Sequence, residues 1–397
     1  MGMKRTIPVV AGLLIYLLIG LIYGWSIFVA PLETEFGWSR AQTSVTFTIS
    51  MTFFCLGGIA SGVIIKKKSP RFILIVSALC LCIGFCAASK IHSLMGLYIA
   101  YGVFCGTGVG MAYNVNISTV LKWFPDKAGF ISGLLLMGFG CGGMVLGSLA
   151  SALIQMMGWR ITFVILGILF AVIIIAGSVW IKYPPEGTVF PEVKLKSGTK
   201  KENGADMIAL QMIRRPSFWI QFLWSILLSA TGLAVIGHAS VCAQDLGASV
   251  ATAALITGTI SVCNGVGRVG IGWLFDHMGR RVSVYLANSV MVIANVLLSL
   301  SIFFDSLLIF IIAAVILGLS FGAIPAINSA FTNLFYGSRN YPMNFSFMNS
   351  NIIFASLLGP LVAGAIQTAT GSYLMVFILL LILSALSVFL QLGIKRP

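Results

Sequence analysis

The sequence predicts an all-α membrane protein of twelve transmembrane helices in two six-helix halves, and three observations carry that expectation. The 397-residue chain is 59% hydrophobic and only 9% charged, where an ordinary soluble domain is about 25% charged. It divides into twelve apolar runs, each near the roughly 20 residues a helix needs to cross a bilayer. One long polar stretch near the middle separates six runs from six. So little charge cannot coat a soluble surface, which excludes a soluble enzyme, a disordered chain and a secreted disulfide scaffold. The 43 glycines agree, because glycine is more frequent in membrane helices than in soluble ones.

The first run, 7–30, follows Lys4-Arg5 directly. It is too long and too continuous for a cleaved signal peptide and reads as the first span. Runs 42–65, 72–89, 94–121, 128–157 and 161–181 complete a first half over 1–181. Residues 182–216 hold Pro184-Pro185 and the charged run 194–202, and read as a flexible cytoplasmic loop. Runs 218–239, 248–275, 282–304, 307–335, 343–368 and 373–392 form the second half over 217–397.

The net charge of +14 raises a nucleic-acid reading, which its placement rejects. Of the 24 Lys and Arg, only Arg40, Lys90 and Arg160 fall in one set of alternate loops, and Arg268 lies inside the eighth run. The rest crowd the other set, with the termini and the central loop. By the positive-inside rule both termini are then cytoplasmic, in a multi-pass protein of the plasma (inner) membrane. The eight cysteines lie in or beside apolar runs without a C-x-x-C pair, which points to small buried thiols rather than metal or disulfide chemistry. His92, His238 and His277 fall in loops or at span ends and are expected to be solvated.

The second-half loop Gly272-x-Leu274-x-Asp276-x-x-Gly279-Arg280-Arg281 resembles the G-x-L-x-D-x-x-G-R-[KR] signature of the major facilitator superfamily. The resemblance implies two parallel six-helix halves with substrate held near the bilayer midplane, and a conformational role for this loop. Its glycines permit a tight turn, and Asp276 can pair with a helix end or an arginine. The first-half copy, Gly62 to Arg71, carries Lys66 where the acid would stand; Lys66, Lys67 and Lys68 read as topology charge.

More specific motifs follow. Tyr23-Gly24-Trp25-Ser26, Phe28, Pro31-Leu32 and Phe36-Gly37-Trp38-Ser39-Arg40 resemble the first span and loop of the oxalate/formate antiporter family, which is related to the monocarboxylate transporters. Lys122-Trp123-Phe124-Pro125-Asp126-Lys127-x-Gly129 is similar to its W-F-P-[DE]-[KR]-x-G motif, and Asn264-x-x-x-Arg268 and Arg339-Asn340-Tyr341 fit too. The resemblance covers essentially the whole chain.

Arg268 is the leading candidate for substrate binding. A charge inside a span is costly and faces a cavity or a partner, and none of the ten acids lies within a span to neutralise it. A guanidinium so placed is a bidentate receptor for a carboxylate; the alternative is snorkelling to the interface or to Asp276. The family resemblance also implies an arginine–carboxylate contact at this position. Asn264 lies one turn away on the same helix face, as a further amide donor or as a helix–helix hydrogen bond. Tyr23 and Tyr113 offer a phenol donor and an apolar wall, or simply packing. Asn349 and Asn351 read as polar lining or as interhelical glue.

The oxalate porters that the chain resembles carry a lysine in span 11. Here no Lys or Arg occurs between Arg339 and Lys395. The expected substrate is therefore a monocarboxylate such as formate, lactate or pyruvate rather than oxalate, moved by alternating access. A sugar or drug carrier, or a carrier-fold sensor, is the alternative. Gly138-x-Gly140-x-x-Gly143 matches a dinucleotide fingerprint only in spelling, since it lies inside an apolar run; close helix approach explains it. With no phosphate-binding loop and no cluster of catalytic groups, neither enzyme activity, a cofactor nor a metal is expected. The expected partners are a small carboxylate and the lipid bilayer, with the chain a monomer.

Overall fold

The computed structural model describes residues 2–185, 187–188 and 206–394. The charged run 194–202, most of the 182–216 loop and the basic residues at 395–396 lie outside the described residues. Every regular element among the described residues is helical. Ten of these helices are long and apolar enough to cross a membrane. Two of the ten are double. Ala128–Ser178 runs for 51 residues and bends at Gly158, where φ is +79°. Val250–Phe303 runs for 54 residues and bends at Gly279, where φ is +77°. Each arm is long enough to span, so the ten helices provide twelve crossings. Gly279 sits inside the signature loop, and its left-handed backbone is one that a side chain would strain.

The first span departs from a plain helix. Gly2–Ile19 is α-helical, Gly20–Gly24 tightens to a 3-10 turn, and Ser26–Phe36 resumes the helix. The turn falls on Tyr23-Gly24-Trp25, the family motif itself. In the fourth span, Tyr98–Cys105 is a π-helix that leads into Gly106–Leu121. Ser39 closes a capping box with Gln42 at the start of Arg40–Ile64. Ser69 caps Pro70–Ala88, with proline at the first helical position, where its missing N–H costs nothing.

By proximity the chain groups into two compact units. One holds Met1–Ile131, Gly138–Asn203 and Ser338–Phe347; the other holds Ser132–Met137, Gly204–Gly337 and Met348–Pro397. Within the first unit Gly142 packs backbone to backbone on the first span, while Gly138 meets the Leu13 side chain. A Cβ on Gly142 would overlap the Leu17 carbonyl and the Gly20 Cα, which is the close approach expected of small residues. The Trp123–Asp126 motif acts as a clamp: Arg5 pairs with Asp126 and donates to the Trp123 carbonyl at 2.9 Å, while Trp123 Nε1 donates to the Lys182 carbonyl at 2.7 Å. At the Gly158 bend, Trp159 and Arg160 each donate to Glu35 at 2.6 Å. The Arg160 guanidinium, ahead of the Trp159 indole, holds the Glu35 carboxyl below its ordinary value.

Two sequence expectations are refined here. All eight cysteines are free, but only Cys55, Cys105 and Cys242 are buried and the other five are half-buried. His92 and His277 are exposed, but His238 is half-buried, with Nδ1 3.2 Å from the Tyr373 hydroxyl and Nε2 3.3 Å from the Pro360 carbonyl. It lies well inside Pro216–Asp245, so it joins helices rather than meeting solvent.

Candidate substrate site

The charged candidate residue, Arg268, lies in the second unit. Asn264 and Arg268 stand one turn apart on the arm that precedes Gly279. The arm lies tight on Leu307–Tyr336: a Cβ on Gly322 would strike the Asn264 carbonyl, and one on Gly267 the Leu319 carbonyl. Arg268 is 5% exposed. Its Nε donates to Asn264 Oδ1 at 2.8 Å, and Nη1 donates to the Leu136 carbonyl. Gly133 explains how that carbonyl comes so near, since a Cβ there would overlap the backbone carbonyl of Arg268. Arg268 makes no ion pair with any described residue, and Nη2 makes no hydrogen bond to one. The guanidinium is therefore oriented by two neutral acceptors, and its charge is not cancelled.

Asn264 orients the arginine. Its oxygen fixes the plane of the guanidinium while its amide nitrogen makes no hydrogen bond to a described residue. Asn349 is buried to 8% exposure and its amide likewise makes no hydrogen bond to a described residue. Asn351 differs, donating to the Met348 carbonyl of its own helix at 2.6 Å. The polar-lining reading thus fits Asn349, and the structural reading fits Asn351.

Tyr23 and Tyr113 lie in the first unit and meet through Phe139. Its ring centre is 5.1 Å from Tyr23 and 5.0 Å from Tyr113, edge to face in both cases. Tyr16 donates to the Tyr113 carbonyl at 2.8 Å, Phe54 packs on the Tyr113 ring at 5.1 Å, and Phe345 stacks on it at 6.1 Å. Tyr113 is buried and Tyr23 half-buried. Sequence reasoning missed Tyr16, Phe54, Phe139 and Phe345; only Tyr16, seven residues before Tyr23, carried a periodicity that could have flagged it.

The residues of the signature loop differ in their settings. Gly272 is buried, while Asp276 and Arg281 are exposed. Arg280 donates to Gln391 Oε1 at 2.9 Å. From there a chain of amides runs inward: Gln391 donates to Gln221 Oε1 at 3.3 Å, and Gln221 donates to Asn328 Oδ1 at 2.9 Å. Ser225 donates to the same oxygen at 2.7 Å. Polar residues inside apolar runs were the available signal for Gln221 and Asn328. In the first-half loop, Lys66, Lys67 and Lys68 are all exposed, as topology charge would be. Among the described residues no group of His, Cys, Asp and Glu could hold a metal ion.

Comparisons with known proteins agree with this architecture. The oxalate:formate antiporter of Oxalobacter formigenes is 26% identical over 364 residues, covering 89% of this chain and 84% of that protein. Human monocarboxylate transporter 2 is 24% identical over 372 residues, covering 88% of this chain and 76% of that protein. The crystal structure of the E. coli fucose:proton symporter superposes with a TM-score of 0.71 at 15% identity, over 99% of this chain and 100% of that one, a likeness of fold. The profile of the Major Facilitator Superfamily matches residues 12–241 and 225–397. The chain belongs to the Major Facilitator Superfamily and is a secondary transporter.

Proposed function

We propose that this transporter carries a small monocarboxylate, such as formate, lactate or pyruvate, by alternating access. The observation that carries the reading is Arg268: buried, aimed by Asn264 and the Leu136 carbonyl, and paired with no described carboxylate. A guanidinium held by neutral acceptors keeps a full charge and a planar donor fork for an incoming carboxylate. Asn264 and Asn349 add amide donors, and Tyr23 and Tyr113 shape the apolar side of the substrate. Asp276, with Gly272, Gly279, Arg280 and Arg281, serves the conformational step. The relatives named for oxalate, formate and monocarboxylates support the anion class. The absence of Lys and Arg between Arg339 and Lys395 favours one carboxylate over two, because a second would enter without a charge partner. We further propose two six-helix halves over 1–181 and 217–397, joined by 182–216. The chain would be a monomer in the plasma (inner) membrane with both termini cytoplasmic.

Counterflow of labelled lactate or formate into vesicles tests the reading. Unlabelled monocarboxylates at equal concentration are expected to compete better than oxalate. A clear preference for oxalate would mean that other donors replace the span-11 cation, and the assigned pocket would be wrong. Preference for a neutral sugar would remove the carboxylate role of Arg268 altogether.

A further inference from the structure

The first unit contains a groove that no substrate argument uses. It encloses about 500 Å³ between Gly2–Ile19 and the second arm of Ala128–Ser178. Its walls are Ile7, Val10, Leu14, Val172 and Ala176, with Trp180 at one end. Ile7, Val10, Leu14 and Val172 are between 43% and 60% exposed, so the groove opens on the surface that meets lipid tails. Its lining is apolar almost throughout. In a bilayer such a space is filled by hydrocarbon, and its apolar walls alone make no choice between headgroups.

The mouth supplies the choice. Thr6 and Trp180 line the groove, and their chain neighbours Arg5 and Lys182 meet at Trp123. Arg5 Nε donates to the Trp123 carbonyl and Trp123 Nε1 to the Lys182 carbonyl. Lys122 joins the same knot, with Nζ 3.8 Å from the centre of the Tyr183 ring. The Arg5 and Lys122 cations thus lie here with Lys182 tied in by its main-chain carbonyl, and the carboxylate bonded in this knot, Asp126, is taken by Arg5. Lys182 is exposed. Lys122 is half-buried and makes no ion pair with a described residue; burial pushes its ammonium pKa down and that of the Tyr183 phenol up to about 12. An indole at the rim of an apolar surface is itself typical of the membrane interface.

We infer that this groove is a binding site for an anionic phospholipid, one acyl chain lying along Val10, Leu14 and Val172 and the phosphate meeting Lys122 and Lys182. The inference rests on the membrane setting of the chain and on none of the substrate assignments. Basic residues at a membrane surface each contribute about 1 kcal/mol toward anionic lipid, and here they flank a preformed slot for the tail.

The test uses the full chain in phosphatidylcholine vesicles doped with phosphatidylglycerol brominated in its tails, or with equally brominated phosphatidylcholine. The Trp180 signal is the emission of the wild type minus that of Trp180→Phe. Quenching of that signal is expected to be at least twofold stronger for the brominated phosphatidylglycerol. The double variant Lys122→Gln/Lys182→Gln should equalise the two lipids. Ala176→Phe, which fills the groove from its exposed side, should abolish most quenching by either. Unchanged circular dichroism and counterflow certify the fold of each variant, and Lys182→Gln alone, in an exposed position, gives the same comparison if the double variant fails to fold. Equal quenching by both lipids in the wild type would overturn the inference, leaving ordinary tail packing. A preference that survives removal of Lys182 and Lys122 would overturn it as well.

Discussion

The two units differ in what surrounds their candidate site residues. In the first, Tyr16, Tyr23, Phe54, Tyr113, Phe139 and Phe345 form one aromatic cluster held by ring contacts. In the second, amides and hydroxyls bond in series, from Arg280 through Gln391 and Gln221 to Asn328. A parallel set joins Trp224 and Ser387 to Asn288, and Asn288 to the Ser384 carbonyl. Rings tolerate small displacements because dispersion is non-directional. A hydrogen-bonded series does not, because each lost partner leaves a buried polar group unsatisfied. Arg268, the residue proposed to meet substrate, sits in the second unit, with this hydrogen-bonded series. An arginine needs a fixed plane to present two donors together, and Asn264 supplies it.

That contrast can be broken in order of effect. Arg268→Ala is expected to abolish anion binding and uptake while the protein still inserts, whereas Arg268→Lys retains part of both, because an ammonium cannot make the planar fork. Uptake and equilibrium binding at matched expression decide it, and normal uptake by Arg268→Ala would sink the assignment. Next is stability. Asn328→Leu leaves the Gln221 and Ser225 donors without their shared acceptor and should cost about 1–3 kcal/mol. Phe139→Leu keeps an apolar filler in the first unit and should lower the thermal midpoint less. The reverse order would show that the rings, not the amides, are the rigid part.

Two smaller effects sharpen the comparison of equivalent loops. Asp276→Asn should slow transport without changing affinity, since its contacts are expected to differ between conformations; Lys66→Ala should do little. Initial rates and binding on both variants separate these outcomes, and equal damage from Lys66→Ala would give the first-half loop a switching role. The smallest effect concerns Glu35. Arg160 and Trp159 hold its carboxyl below the ordinary 4.5, so their stabilisation is complete above that pH and is lost as pH falls through the lowered value. The pair is more than a third exposed, and screening keeps its contribution small. The thermal midpoint of wild type should converge on that of Glu35→Gln once the pH is well below the lowered value; a gap that persists there would assign the difference to something other than charge.

Much of the fold was legible because hydrophobic length and charge placement act on whole segments. The apolar runs, the turn at Gly279 and the close approach of Gly138–Gly143 all follow from residue type. So does the Asn264–Arg268 pairing, which is a matter of helical spacing. The Leu136 carbonyl that takes Nη1 was not legible, since every residue has a carbonyl. Phe139 was hidden for a related reason: in an all-apolar run no polar stripe marks which face turns inward. His238 was misjudged because its place at the end of an apolar run was taken to mean water, when Tyr373 and Pro360 stand beside it. The π-helix at Tyr98–Cys105 has no signature in the sequence that we can name.

The meeting of Gly20 with Gly142 carries a mechanical consequence. Where Leu17, Gly20, Phe139 and Gly142 touch, the facing surface is main chain, so no χ angle lies across it. Interlocked side chains resist sliding because each must leave one rotameric well for another. A smooth peptide face has no such teeth, and it behaves as a plain bearing along which the first helix can shear by small steps. Friction, in this unit, is then set by the aromatic residues at the edge of that bearing rather than by its centre.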